Sequence, residues 1–406
     1  MLNSLKKIGF YEVSHFSTLL SGVFFLFCLA NFQSLDDVGI FGIWITSSLI
    51  LSQIGAFGFH NAIASFGVSN FNIDKFAIEN FYRKGALYSL IFNFLIAILI
   101  LAINSRINFI YGDQFLIILI IYIFTISQVK LLVSKNNTLG NPKIVAISNI
   151  VKSLSIILLT LLSFIINFHD YSYLKVFLLA EVINFLVMFI FTPKLSLKFQ
   201  NKIREFSKFL YLKKCSRYAF NNLVFDSSTK VDLIMVSIFL PLNVVGIYTI
   251  IMNITEAFFG FSVHKRGEHY EWLLKQFKKS NVKKIKEFIV NNYLRFFLIS
   301  IPILFSGYIY VYLLTQSINI EIIIALLLNI IGIFSISPLV LFYHVFFSIK
   351  MDLLMATIIL ISLICNIIVT YILIKPLGFV GASIGTCSSF MLMSFLLYKS
   401  IFRRLK

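Results

Sequence analysis

With 406 residues of which 59% are hydrophobic and 13% charged, and with a mean hydropathy of +0.92, the chain carries more apolar side chain than a water-soluble core of this length can hide. Its net charge of +18 comes from 35 Lys and Arg against 17 Asp and Glu. These cations are dispersed between apolar runs without a basic-aromatic motif, which excludes a nucleic-acid footprint and leaves anionic lipid headgroups as their natural partner. Four cysteines with no Cys-x-x-Cys pair supply neither a disulfide framework nor a zinc site.

Runs of about 20 apolar residues, enough to cross a bilayer, recur along the chain. They predict an all-α polytopic membrane protein with twelve transmembrane helices, at roughly 10–31, 38–60, 85–104, 115–134, 144–167, 174–192, 218–240, 244–264, 289–312, 320–348, 353–374 and 379–399. The first follows Lys6 and Lys7 and is too long for a signal-peptide core, so it is expected to stay as a membrane helix. The tenth is long enough to need a tilt, a kink or a cytoplasmic extension, and Pro338 would supply the kink.

On this reading 28 of the 35 Lys and Arg fall in loops and tails of one side, three on the other side and four inside spans. Short basic loops are retained in the cytoplasm, so both termini are expected there. External connections are all short and leave no room for an extracytoplasmic catalytic domain. The two long connections, 193–217 and 265–288, are cytoplasmic and hold eight Lys or Arg each. The first separates six spans from six, which predicts an N-terminal lobe at 1–192, a basic linker at 193–217 and a C-terminal lobe at 218–406. Within the linker Phe199, Ile203, Phe206 and Leu210 recur at helical spacing, as in an amphipathic helix lying on the inner leaflet.

An internal repeat relates the halves. Val38-Gly39-Ile40-Phe41 opens the second span and Val245-Gly246-Ile247-Tyr248 opens the eighth, each just after an external turn. Six spans separate them, so the halves share one orientation and form two pseudo-symmetric six-helix lobes, expected to surround a central cavity.

Ionisable residues inside hydrocarbon cost about 2.5–3.5 kcal/mol each on insertion scales and mark functional sites by default. Asn222, Asp226 and Lys230 follow at i, i+4 spacing and are expected to line one face of span 7. Asp232 lies on the same span, and Glu256 returns on span 8 to nearly the depth of Asp226. Asp226 and Lys230 could simply neutralise each other, but three acids against one base leave carboxylates unmatched. Asp226, Glu256 and Asp232 are therefore candidates to bind or titrate a coupling ion, H+ or Na+. Lys152 and Arg295 lie deep enough to meet a phosphate. With Lys230 and Asn222 they form the candidate substrate set, while Lys130 is expected to snorkel to the inner surface. Neither a catalytic residue set nor a cofactor or metal motif is present in the sequence.

Three stretches carry a family likeness. They are Lys230 to Leu240 followed by Val245-Gly-Ile-Tyr and Glu256; Leu377-Gly-Phe-Val-Gly-Ala-Ser-Ile-Gly-Thr386 with Asn366 upstream; and Val38-Gly-Ile-Phe through Gly55-Ala-Phe-Gly58. In these, and in span number and length, the chain resembles polysaccharide repeat-unit flippases of the Wzx type, in the multidrug/oligosaccharidyl-lipid/polysaccharide exporter superfamily. The resemblance implies a non-enzymatic transporter that flips an undecaprenyl-diphosphate-linked oligosaccharide, such as an O-antigen unit, outward across the bacterial inner membrane by ion-coupled alternating access. It also implies polysaccharide polymerase and chain-length proteins as partners, beside the lipid-linked substrate and membrane lipids. Two rivals are a drug or organic-cation antiporter of the same fold, against which the intramembrane bases argue, and a membrane polysaccharide polymerase or glycosyltransferase, which should show a large external loop or an Asp-x-Asp metal site.

Reporter fusions test the topology. They should read cytoplasmic at Lys202 and Lys279 and external at Asp37, Asp170 and Leu242, and an external signal at Lys279 would overturn the twelve-span order.

Overall fold

The computed structural model describes residues 10–69, 75–107, 112–165, 172–193, 208–264, 266–315, 319–342, 345–346, 349 and 351–405. In chain order these form helices α1 (Phe10–Phe32), α2 (Leu35–Ala56), α3 (Phe59–Ser69), α4 (Lys75–Ile107), α5 (Gly112–Thr138), α6 (Pro142–Ile165) and α7 (Ser172–Phe191). There follow α8 (Lys208–Ser228), α9 (Val231–Phe239), α10 (Leu242–His264), α11 (Arg266–Lys278), α12 (Val282–Thr315), α13 (Ile320–Val340) and α14 (Asp352–Leu405).

Ten of these helices are long and apolar enough to cross a membrane. The count reaches twelve crossings in two ways. First, α14 holds both spans 11 and 12, because it folds back at Gly378 (φ 58°, ψ −140°), a conformation only glycine adopts without strain. Its arms are antiparallel: the Ser389 hydroxyl donates to the Ser362 carbonyl at 2.8 Å, and Gly381 packs on the backbone of Leu373. Second, span 7 is divided between α8 and α9 by Thr229 and Lys230, so neither piece alone is long and apolar enough.

Two expectations are corrected. Span 2 stops at Ala56, where Phe57 (φ 42°) and Gly58 (φ 69°) turn the chain into α3. A side chain at Gly58 would strike the Cys215 carbonyl, so the break lets α8 approach. The second concerns Lys230 and is taken up with the site below. Span 10 is interrupted after Val340, with Pro338 in the last turn of α13, and helical bonds resume where the Phe346 amide donates to the Phe342 carbonyl at 3.0 Å, in keeping with a proline break in a longer span. Of the amphipathic linker, residues 194–207 lie outside the described residues.

Local chemistry sets the helix ends. Ser34 caps α2 by accepting from the Asp37 amide at 3.1 Å while donating to the Asp37 carboxylate at 2.6 Å. Gly140 (φ 75°) closes α5, and Pro142 opens α6. Asn319 caps α13 through the Glu321 amide at 2.9 Å.

The helices gather into two compact units, Met1–Cys28 with Ser47–Leu223 and Leu29–Thr46 with Val224–Lys406. In the first, α5 is the central helix and packs against α3, α4, α6 and α7. In the second, α13 plays that part against α10, α12 and α14. These are the fourth spans of their halves, and the same rank in sequence gives each the same buried role.

The start of α2 belongs to the second unit because of the repeated Val-Gly-Ile-aromatic segments. A Cβ on Gly39 would fall on the Leu242 carbonyl oxygen, and one on Gly246 on the Leu35 carbonyl oxygen. The two repeat copies therefore cross backbone against backbone, which only glycine permits, while Val38, Val245 and Tyr248 are sealed around the crossing. Gly246→Val should cost about 1–3 kcal/mol and visibly lower the thermal unfolding midpoint in detergent. Gly22→Val, at a glycine with nothing within 4 Å, should leave the midpoint nearly unchanged; equal midpoints for the two variants would contradict this packing.

Candidate ion and substrate site

In the second unit the polar chemistry gathers at the break in span 7. Helix α8 ends at Ser228, the Lys230 amide donates to the Ser227 carbonyl at 3.2 Å, and Lys230 itself is non-helical (φ −129°, ψ −11°). The helix expected to run unbroken through Asn222, Asp226 and Lys230 is thus interrupted before Lys230. Its ammonium pairs with Glu256 of α10, with 13% of the lysine side chain and 38% of the glutamate side chain exposed.

Asp232, in the first turn of α9, is fully buried. One carboxylate oxygen accepts from the Tyr248 hydroxyl at 2.8 Å and the Thr386 hydroxyl at 2.7 Å, and the other from the Leu233 amide at 2.8 Å. No Lys or Arg nitrogen among the described residues lies within salt-bridge distance of it. The α9 N-terminus, with its unpaired amides, favours negative charge there.

Thr386, which donates to this carboxylate, also lines a cavity of about 20 Å³ whose other walls include Met252, Phe259, Ile333 and Phe390 beside Thr229, Thr255, Glu256 and Asn329; Asp232 itself does not line it. That is room for about one water. Asn329 donates to Ser383 at 3.1 Å while its side-chain oxygen is buried without a hydrogen bond, an acceptor waiting for a donor or a cation. On α14, Asn366 accepts from Thr370 at 2.9 Å. No group of three His, Cys, Asp or Glu side chains suited to a transition metal occurs among the described residues.

The first unit holds further ion pairs, in which Glu79 of α4 joins Arg83 at 3.0 Å and Lys135 of α5 at 2.7 Å. Lys152 of α6 pairs with Glu181 of α7, whose other oxygen accepts from Asn184 at 3.1 Å. Asn184 also accepts from Ser148, and Ser153 donates to the Asn149 carbonyl at 2.8 Å. Glu181 is 2% exposed and Lys152 21%, so the acid is enclosed and the base keeps an edge open. Elsewhere in the first unit, Lys130 donates to Ser52 at 2.8 Å, and Asn222 accepts from Asn61 at 2.8 Å and meets His60 at 3.1 Å.

The structure thus joins Lys230 with Glu256, sets Asp232 apart in a shell of hydroxyls, and gives Lys152 a partner in Glu181. Asp226 is half-buried on α8, and Arg295 is exposed on α12 beside the exposed Leu294 and Leu298. Sequence reasoning did not select Tyr248, Thr386, Asn329 or Asn61. Tyr248 stands in the internal repeat, where its hydroxyl is the difference from Phe41 and offers the one visible signal.

The fold has known counterparts. The lipid II flippase MurJ in an inward closed conformation superposes with a TM-score of 0.68 at 16% identity, over 96% of this chain and 87% of that one. A MATE transporter in complex with MaL6 gives 0.67 at 18% identity over 98% and 95%, and an inward-facing multidrug resistance MATE transporter of the MOP superfamily gives 0.63 at 15% over 96% and 94%. At these identities the likeness shows the fold: this is a multi-pass membrane protein with the helical architecture shared by MATE transporters and MurJ. No protein-family model and no curated protein matches the sequence.

Breaking the pair of Lys152 and Glu181 should be costly. Glu181→Gln strands the Lys152 ammonium and should cost about 3 kcal/mol, and the double change with Lys152→Met should recover most of it. Additive losses in thermal unfolding would show that the pair is not coupled.

Proposed function

We propose that the protein is a flippase for an undecaprenyl-diphosphate-linked oligosaccharide repeat unit, working by ion-coupled alternating access in the bacterial inner membrane with both termini in the cytoplasm. One observation carries this reading against a drug or organic-cation antiporter: Glu181 and Glu256 are already paired with lysines, and Asp232 is sealed behind hydroxyls, one of which lines a one-water cavity. An organic cation would have to displace a lysine from its carboxylate. An anion competes for the lysine itself, and a diphosphate offers it more charge and more acceptors than one carboxylate. The likenesses support the transport class, and they include both a lipid II flippase and a multidrug resistance transporter.

In this mechanism Lys230 and Lys152 pass from Glu256 and Glu181 to the diphosphate, while Asn222 meets sugar hydroxyls that would otherwise lose their water. Asp232, with Thr386 and Tyr248, holds the coupling ion, H+ or Na+, and Asp226 assists it. Polymerase and chain-length proteins of the same pathway would take up the product.

The test is flipping of a fluorescent undecaprenyl-diphosphate sugar in proteoliposomes. Lys230→Ala and Lys152→Ala should each slow it by about tenfold or more. Asp232→Asn should keep basal flipping and lose stimulation by the ion gradient, because a site with fixed occupancy cannot bias two states. Wild-type protein that leaves this lipid in place but extrudes an organic cation would replace the reading with the antiporter.

A further inference from the structure

Helix α12 has 34 residues, about 51 Å at 1.5 Å per residue, against roughly 30 Å of hydrocarbon. Its exposed apolar side chains, among them Val290, Leu294, Leu298, Phe305 and Leu313, run to its C-terminal end, whereas Lys283, Lys284, Lys286 and Glu287 are exposed in its first two turns. The excess length therefore projects at the N-terminal end and places those lysines at headgroup height.

A tight turn pins α11 to the same height. Ser280 (φ 49°) reverses the chain, Asn281 caps α12 by accepting from the Lys284 amide at 3.2 Å, and Leu273 and Phe277 are buried. Trp272 packs on Phe288 at 5.2 Å yet stays 39% exposed, while Lys275, Lys278 and Lys279 are exposed beside it. Along α12, Lys284, Asn291 and Arg295 share one face at i, i+7 and i+11, and all are exposed. Arg295 lies about 16 Å along the helix from Lys284. It has no ion pair among the described residues, and its long stem can carry the guanidinium back toward the surface.

We propose that the α11–α12 elbow binds the phosphate headgroups of anionic glycerophospholipids in the inner leaflet, with Arg295 as the deepest contact and Trp272 as its interfacial anchor. Among the residues whose side chains are described, six exposed lysines and one arginine stand on this elbow with Glu287 as the exposed acid. A solvated linker would explain the lysines but neither the half-exposed indole at that height nor an exposed arginine among lipid-facing leucines. Charge and amphipathic anchoring together are what an anionic bilayer surface selects. Arg295 is thereby assigned to bulk lipid and not to the transported diphosphate.

Trp272 supplies the readout, because the chain has two tryptophans and the other, Trp44, is fully buried and can be replaced by Phe. The full chain is placed in bilayers containing brominated phosphatidylglycerol or brominated phosphatidylcholine. Trp272 should be quenched about threefold more effectively by the anionic lipid, as expected for several cations acting at the surface. That preference should fall to parity when Lys275, Lys278, Lys283 and Lys284 are changed to Gln, and weaken in the milder Arg295→Gln variant. Equal quenching of the wild-type chain by the two lipids overturns the proposal. So does displacement of phosphatidylglycerol by an equal mole fraction of undecaprenyl diphosphate, which would give the surface to the transported lipid.

Discussion

A charge inside hydrocarbon must be neutralised or fully hydrogen-bonded, and the polar interior of this protein follows from that requirement. Lys152 lies nearly three turns into α6 with most of its side chain covered, and α7 brings Glu181 against it. Glu181 in turn needs its second oxygen satisfied, which Asn184 does, and Asn184 is held by Ser148 on the lysine's own helix. One ammonium thereby fixes the register of two helices through a closed set of contacts. The same rule in the second unit ties α10 to the break between α8 and α9 through Lys230 and Glu256.

Asp232 solves the same problem differently. Hydroxyl and amide donors satisfy it without a fixed cation, from Tyr248 on α10, Thr386 on α14 and the first turn of α9. Ion pairs hold a lysine until a stronger anion arrives, whereas a hydroxyl-bound carboxylate can change its own occupancy. The proposed division, with substrate at the lysines and the coupling ion at Asp232, rests on that difference.

Span number and the glycine repeat were legible in the sequence because both rest on composition: apolar runs long enough for a bilayer, and a short motif whose glycines are needed at a backbone crossing. Helix breaks were not. Phe57-Gly58 sits inside an apolar stretch, so hydropathy runs straight through it, whereas the polar run from Asp226 to Lys230 reads equally well as one face of a continuous helix and as the end of a helix. The partners of Lys152 and Asp232 were hidden as well. Glu181 is 29 residues from Lys152, and Thr386 is 154 from Asp232, and no periodicity within one helix reports a contact between helices.

The breaks also explain where reactive charge can be kept. Irregular backbone at membrane depth survives only where its freed carbonyls find donors. The Thr229 hydroxyl donates to the Asp226 carbonyl at 2.9 Å and the Ser228 hydroxyl to the Phe225 carbonyl at 2.7 Å, while Ser134 serves the His60 carbonyl just beyond the break in span 2. Satisfied in this way, the span 7 break sets the positive end of the α9 dipole beside both Lys230 and Asp232. The dipole favours the carboxylate and opposes the ammonium. Asp232 can therefore do without a countercation, whereas Lys230 depends on Glu256, and a base so placed gains more than an ordinary helical lysine when a multiply charged phosphate replaces one carboxylate.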